Sequence, residues 1–311
     1  GWSVKNHCQK LYAGFPKEFT RDVLITTWQS IYLQPKSWFK QFDVIFGDEA
    51  HQFKAKSLTT IMEKLDTVRY RVGTTGTLDN KKIHRLVLEG IFGPVHKVTT
   101  TKKLMDSGRL SDLNITCIVL KYSEVIRKER NKNTYQEEMD WLVSNDKRNK
   151  FIRNLAVNSK GNTLVLFQYV EKHGKVLYDL IKEKVHEDRK VFFVYGGTDT
   201  SDREAIRHIT EGEDDAIIIA SYGTFSTGIN IPSIENVIFA SPYKSKIRNL
   251  QSIGRGLRKK DGKTSCNLFD IADDLHWKSW KNHTLNHAAE RYKTYAEEER
   301  SEEHTSELQS H

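Results

Sequence analysis

The chain has 311 residues, of which 37% are hydrophobic and 29% charged, and its formal net charge is +8. That length and balance suit about two globular domains with apolar cores of their own, and no run of about 18 apolar residues reads as a membrane-spanning helix. The positive excess favours a polyanionic partner, most simply nucleic acid, although an ordinary solvated basic surface gives the same number.

Cys8, Cys117 and Cys266 are far apart and show no CxxC spacing, so they read as reduced thiols and not as a disulfide framework or a zinc site. The first twenty residues are mixed and polar, without a signal peptide, and the expected location is cytoplasmic. Gly1 opens the chain in mid-pattern, with no cap or linker before it. At the other end, "RSEEHTSELQSH" (Arg300–His311) has no apolar periodicity and resembles a translated sequencing adapter, so it is expected to be a foreign tail. Removing its one Arg and three Glu raises the net charge from +8 to +10.

In chain order, "DVLITT" (Asp22–Thr27), "FDVIFG" (Phe42–Gly47) and "YRVGTTGT" (Tyr70–Thr77) read as buried strands, with helix-like stretches such as "SLTTIMEKL" (Ser57–Leu65) between them. This alternation predicts a parallel sheet covered by helices. "FGPVHKVTT" closes the first region near residue 100, and residues 121–150 form a charged, largely helical zone. A second series of strands follows at Asn162–Val170, Lys190–Gly197, Asp215–Gly223, Asn236–Pro242 and Ser265–Asp273, which Asn114–Tyr122 is expected to join. "DDLHWKSWKNHTLNHAAERYKTYAEEE" (Asp273–Glu299) reads as a basic amphipathic helical segment that packs on the second lobe or touches nucleic acid.

"FGDEAHQF" places Asp48, Glu49 and His51 where a buried strand reaches its C-terminal end, the side of a parallel sheet on which ligands bind. Hydrolysis of a phosphoanhydride needs a divalent metal and a positioned water, and paired carboxylates supply both requirements. An Asp-Glu pair is also common in surface turns; the strand before it and His51 after it point to chemistry. In "QSIGRGLRKKDGK", Gln251, Arg255 and Arg258 fall at i, i+4 and i+7, on one helical face, where two guanidiniums can clamp a transferring phosphate. Gly254 and Gly256 weaken such a helix, which suggests close approach of backbone or ligand. "ASYGTFSTGINIP" (Ala220–Pro232) follows an apolar strand and offers hydroxyls and amides to phosphates; as plain structure it is a strand-to-helix loop.

"DEAH" (Asp48–His51), "TGT" (Thr75–Thr77), "STGINIP" (Ser226–Pro232) and "QSIGRGLR" (Gln251–Arg258) occur in order and resemble motifs II, III, V and VI of the superfamily 2 helicases of the DEAH type. "LITTWQS" (Leu24–Ser30) resembles motif Ib, and "TLVLFQYVEKHG" (Thr163–Gly174) resembles motif IV. The resemblance implies an α/β chain of two RecA-like parallel-sheet lobes in tandem, a P-loop NTPase helicase core. Its lobes would be 1–105, incomplete, and 106–299, with 300–311 as the tail. It implies ATP and Mg2+ as cofactors and DNA, branched or in R-loops, as partner, with recombination, repair and replication as setting.

The same resemblance assigns roles residue by residue. Asp48 would hold Mg2+ through water, Glu49 would be the catalytic base, and His51 would couple the nucleotide site to Gln251. Arg255 and Arg258 would reach the γ-phosphate; Thr75, Gly76 and Thr77 would link hydrolysis to lobe movement. Gly228 and Asn230 would lie at the nucleotide, and Thr27, Gln29, Ser221 and Thr227 would face the DNA backbone. Oligomeric state stays open. A motor also needs a phosphate-cradling GxxxxGK[ST] loop between strand and helix. "GKT" at Gly262–Thr264 precedes a strand, and the nearest upstream glycine, Gly256, is one residue too far. The loop is therefore expected to lie before Gly1, and this chain alone is expected to hydrolyse ATP weakly or not at all. A translocase subunit of a restriction-type nuclease and a non-catalytic nucleic-acid-binding remnant are the alternatives.

Overall fold

Short apolar runs bounded by turn residues become parallel strands in the computed structural model, which describes residues 1–12, 18–53, 55–76, 78, 82–99, 103, 107, 109, 111–198, 212–227, 234–242, 265–297 and 302–309. The chain divides into two units, Gly1–Lys97 and Val98–His311, somewhat ahead of the boundary expected at residue 105.

In the first unit, β1 (Cys8–Leu11) pairs in parallel with β2 (Val23–Thr26), and β3 (Val44–Gly47) with β4 (Tyr70–Gly73), as two separate sheets. β1 has no clear signature in the sequence, because two of its four residues are Gln and Lys and none is β-branched. Helix Lys56–Lys64 carries Leu58, Ile61 and Met62, with Leu65 just past its end, at the spacing of one helical stripe. These four are buried with Phe39, Phe53, Val68 and Leu88 in the core of the unit. The other face of β3 and β4 is open. The cross-strand neighbours Val44 and Tyr70, and Phe46 and Val72, are all exposed, Phe46 by 73%.

In the second unit, β5 (Asp112–Lys121), β6 (Thr163–Phe167), β7 (Val191–Val194), β8 (Ile217–Ser221), β9 (Asn236–Phe239) and β10 (Ser265–Asp274) form one parallel sheet in the order β5-β10-β9-β6-β8-β7. The backbone of β11 (Glu302–Gln309) runs parallel along the outer edge of β5, in the segment read from sequence as a tail. Every residue of β6 and β9 is buried, as in central parallel strands covered on both faces. Alternation then splits the apolar residues between two cores. Leu164, Leu166, Ile218 and Val237 serve one, and Val165, Phe167, Ile219 and Ile238 the other.

The segment after β10 belongs to this unit. The strand continues to Asp274, and the helix begins only at His283 and runs to Glu297, so the helical reading from Asp273 starts too early. Glu138, 1% exposed, accepts hydrogen bonds from the Asn282 side-chain amide at 2.8 Å and from the His283 and Thr284 backbone amides at 2.9 and 2.8 Å. A buried carboxylate on the first amides of a helix offsets both the unpaired donors and the helix dipole. Farther along that helix, Arg291 and Tyr295 bond the buried Asp270 of β10, at 2.6 Å from Arg291 Nη2 and 2.6 Å from the phenol. Burial, reinforced by Asp270, holds the Tyr295 hydroxyl far above its ordinary titration range.

Candidate nucleotide-hydrolysis site

β3 ends on Gly47 and β4 on Gly73, and the two are cross-strand partners. A Cβ on Gly47 would stand 2.8 Å from the rings of Phe53 and Phe92, and one on Gly73 would stand 2.9 Å from Phe92. Aromatic rings thus lie directly against both strand ends, and only glycine fits there. The residues that follow are seated on this apolar floor.

Asp48 Oδ1 accepts the Glu49 backbone N–H at 2.9 Å and the Thr74 hydroxyl at 3.2 Å. Its other oxygen has no hydrogen-bond partner among the described residues, and the side chain is exposed. Glu49 sits in the left-handed region, with φ 50° and ψ 48°. A non-glycine residue there costs on the order of 1 kcal/mol and persists only where neighbours fix it. The fixing comes from Thr74, the residue after β4: Ala50 N–H donates to Thr74 O at 2.8 Å, and Thr74 N–H donates to Gly47 O at 2.9 Å.

His51 is buried, and its Nδ1 shares a 2.9 Å hydrogen bond with the Thr75 hydroxyl. Glu49 Oε2 lies 3.2 Å from the same nitrogen but is buried without a hydrogen bond of its own. The turn therefore combines a carboxylate with one oxygen buried against the imidazole, a second carboxylate with one oxygen open to solvent, and an imidazole tied to Thr75. The first can take a proton from a water, and the second can hold a hydrated divalent cation. Among the described residues no group of three or more His, Cys, Asp or Glu could hold a metal unaided. A cation here would thus share its ligands with substrate phosphates and water, the usual manner of magnesium.

Residues 3–80 match the family model described as type III restriction enzyme, res subunit, and residues 146–260 match the helicase conserved C-terminal domain. The chain is 37% identical over 289 residues to the ATP-dependent DNA helicase uvsW of Enterobacteria phage T4, a match spanning 89% of this chain and 57% of that relative. The chain belongs to the superfamily 2 helicases. This superfamily 2 helicase chain superposes on the crystal structure of T4 UvsW with a TM-score of 0.55 at 34% identity, over 96% of this chain and 61% of that one. It shares a fold with Saccharomyces cerevisiae Dbp5, solved with RNA and ADP BeF3, at a TM-score of 0.59 and 13% identity over 97% of this chain and 71% of that one.

Of the residues singled out in the sequence of this chain, the structure brings Asp48, Glu49, His51 and Thr75 together in the first unit, with Gly76 following Thr75. Thr27 and Gln29 are exposed at the start of helix Trp28–Ile31, where the Thr27 and Ser30 hydroxyls are 2.9 Å apart. In the second unit, the loop expected after β8 is helical from its first residue, over Tyr222–Thr227. Ser221 caps it: its hydroxyl accepts Thr224 N–H at 3.3 Å and lies 2.8 Å from Thr224 Oγ1. Ser221 is half-buried, and Thr227 is the last residue of the helix. Thr77, Gly228, Asn230, Gln251, Arg255 and Arg258 lie outside the described residues.

The sequence reading missed a buried polar network at the C-terminal ends of the second unit's strands. Ser241 Oγ accepts Gln168 N–H at 3.1 Å and lies 2.9 Å from His173 Nδ1, while His173 Nε2 lies 3.2 Å from Asn149 Oδ1. Asn149 Nδ2 donates to Val143 O at 2.8 Å, which orients the amide and leaves Nε2 as the protonated nitrogen of a neutral imidazole. Burial, and then the Arg148 charge, push His173 down to about 3. Arg148 is itself fully buried, bonding Asp273 Oδ1 at 2.9 Å and Ala240 O at 2.7 Å. The Tyr222 hydroxyl donates to Ser241 O at 3.0 Å and so joins the helix after β8 to the same network. Such partners are scattered in sequence from residue 143 to 273, and no local spacing announces them.

Proposed function

We propose that the whole protein is an ATP-dependent DNA helicase or translocase acting on branched DNA or R-loops, in recombination, repair and replication. The observation that carries the reading is the Asp48–Glu49–His51–Thr75 constellation, held at the C-terminal ends of two parallel strands. Glu49, whose side chain is 44% exposed, takes the proton of the attacking water, and Asp48 would hold the Mg2+ that accompanies ATP. When bound, that ion supplies charge neutralisation on the phosphates. His51, hydrogen-bonded to Thr75, passes the state of the turn to the segment Thr75–Thr77. Thr27, Gln29, Ser221 and Thr227 contact the DNA backbone, so binding depends on phosphates and on salt more than on sequence. Gly228 and Asn230 serve the nucleotide, and Gln251, Arg255 and Arg258 complete the site toward the γ-phosphate. No helix among the described residues is long and apolar enough to cross a membrane. Work in the cytoplasm of a host cell belongs to the same reading, by the likeness to a phage helicase.

The test is steady-state phosphate release and strand separation by the whole protein on forked, R-loop and linear substrates. Glu49→Gln is expected to lower DNA-stimulated turnover by about 10²- to 10⁴-fold, the range a general base contributes. Unwinding that survives this change sinks the motor reading. The match to a restriction res subunit over residues 3–80 favours a second reading, a translocase within a nuclease. ATP-dependent strand cleavage, with or without unwinding, would select it.

A further inference from the structure

We propose that Thr74, which lies just outside the Thr75–Thr77 stretch, is a positioning residue for hydrolysis: its side chain and backbone clamp both ends of the Asp48–Glu49 turn. This rests on the reading of that turn as the hydrolytic centre. Thr74 makes three separate attachments. Its amide donates to Gly47 O at 2.9 Å and its carbonyl accepts Ala50 N–H at 2.8 Å. Its hydroxyl donates to Asp48 Oδ1 at 3.2 Å. Residues 47, 48 and 50 are thus each held by one residue of the neighbouring strand end, and Glu49, between them, has no freedom to leave its left-handed conformation. The hydroxyl adds something the backbone bonds cannot. It engages Oδ1 of Asp48 together with the Glu49 amide, and so directs the remaining oxygen to the open side, where a cation would be met. Thr75 holds His51 in the same way from the next position. Two consecutive hydroxyls of β4's end therefore fix the first and last polar residues of "DEAH".

Thr74→Val keeps the β-branched shape and both backbone bonds while deleting the hydroxyl; Thr74→Ser keeps the hydroxyl. In the whole protein, T74V is expected to lower kcat for DNA-stimulated ATP hydrolysis by about 10- to 100-fold, the usual effect of losing a partner of a metal-associated ligand, with KM for ATP changed less than about threefold. T74S is expected to stay within about threefold of wild type on the same scale. A second readout does not use activity. Mn2+ binding measured by electron paramagnetic resonance with ADP present should weaken by about tenfold or more in T74V and recover in T74S. Wild-type kcat and Mn2+ affinity in T74V, or a T74S as impaired as T74V, overturns the inference. If T74V does not fold by circular dichroism, Thr74→Ala compared with T74S decides in its place. Glu49→Gln run alongside separates the two claims. Turnover that survives E49Q removes the hydrolytic reading itself, whereas turnover lost in E49Q but intact in T74V removes Thr74 alone.

Discussion

The two units treat apolar surface differently. Among the described residues, fifteen of the eighteen large hydrophobic side chains that stand exposed belong to Gly1–Lys97, and three belong to the much longer Val98–His311. The second unit covers both faces of its sheet, and the middle strands β6 and β9 are buried throughout. In the first unit the outer face of β3 and β4 is open, with Phe46 and Tyr70 more than half exposed. Yet the first unit carries the Asp48–Glu49–His51 turn. Holding a few polar atoms in place therefore does not need a fully covered sheet. It needs a short ladder, an apolar floor under the strand ends, and a hydrogen bond to each residue of the turn. The second unit places its polar groups by burying them, a stiffer and more costly arrangement.

Four measurements break or sharpen that contrast. The largest effect is expected in the second unit, where Asp270→Ala removes the buried carboxylate that Arg291 and Tyr295 bond. Removing one member of a buried pair costs about 3–5 kcal/mol, so urea unfolding should show the transition of this unit shifted or lost; a change below about 1 kcal/mol would mean the pair is solvated. Next comes acid sensitivity. The folded unit keeps His173 neutral down to about pH 3, whereas the unfolded chain protonates near 6.5, so folding binds fewer protons within that window. Stability from this group is therefore full above pH 6.5 and falls as pH drops toward 3, by up to about 1.4 kcal/mol per unit. His173→Gln should flatten the difference between stabilities measured at neutral pH and near pH 5, and an unchanged difference would show that the imidazole is not buried in solution.

In the first unit, Gly47→Ala drives a methyl group into Phe53 and Phe92. Overpacking of this kind costs about 1–3 kcal/mol. Hydrogen exchange at the Glu49 and Ala50 amides should rise in step, since the turn rests on those rings; a loss of stability without faster exchange there would separate the floor from the turn. The smallest effect is expected at Phe46, where Thr should change stability by no more than about 0.5 kcal/mol because the ring is in solvent. Light scattering should show less self-association of Phe46→Thr. A large destabilisation would instead mean that the open face of β3 is covered in solution.

Much of this was present in local sequence pattern. The apolar runs "TLVLF", "AIII" and "NVIF" read as buried strands of a parallel sheet, and the structure forms them at Thr163–Phe167, Ile217–Ser221 and Asn236–Phe239. Asp48, Glu49 and His51 were legible because a strand end fixes where the next four residues sit. Thr75 was legible through its motif, and the structure shows the physical link, a hydroxyl on His51 Nδ1. Other features had no linear signal. Ser221 caps a helix because the chain turns immediately after β8. The helix at His283–Glu297 starts late because β10 continues through Asp274 to stay paired with β5.

The sequence by itself determined the parallel α/β architecture, the family and the seat of Asp48, Glu49 and His51 at a strand end, because each depends on contiguous patterns of burial and on neighbours along the chain. Only the tertiary structure decided that Thr74 grips Asp48, that Gly47 and Gly73 are glycines for the sake of Phe92, and that Glu138 and Asp270 fasten the C-terminal helix. Those contacts join residues from 19 to more than 140 positions apart. Their energies come from burial and hydrogen-bond geometry that exist only once the strands have paired.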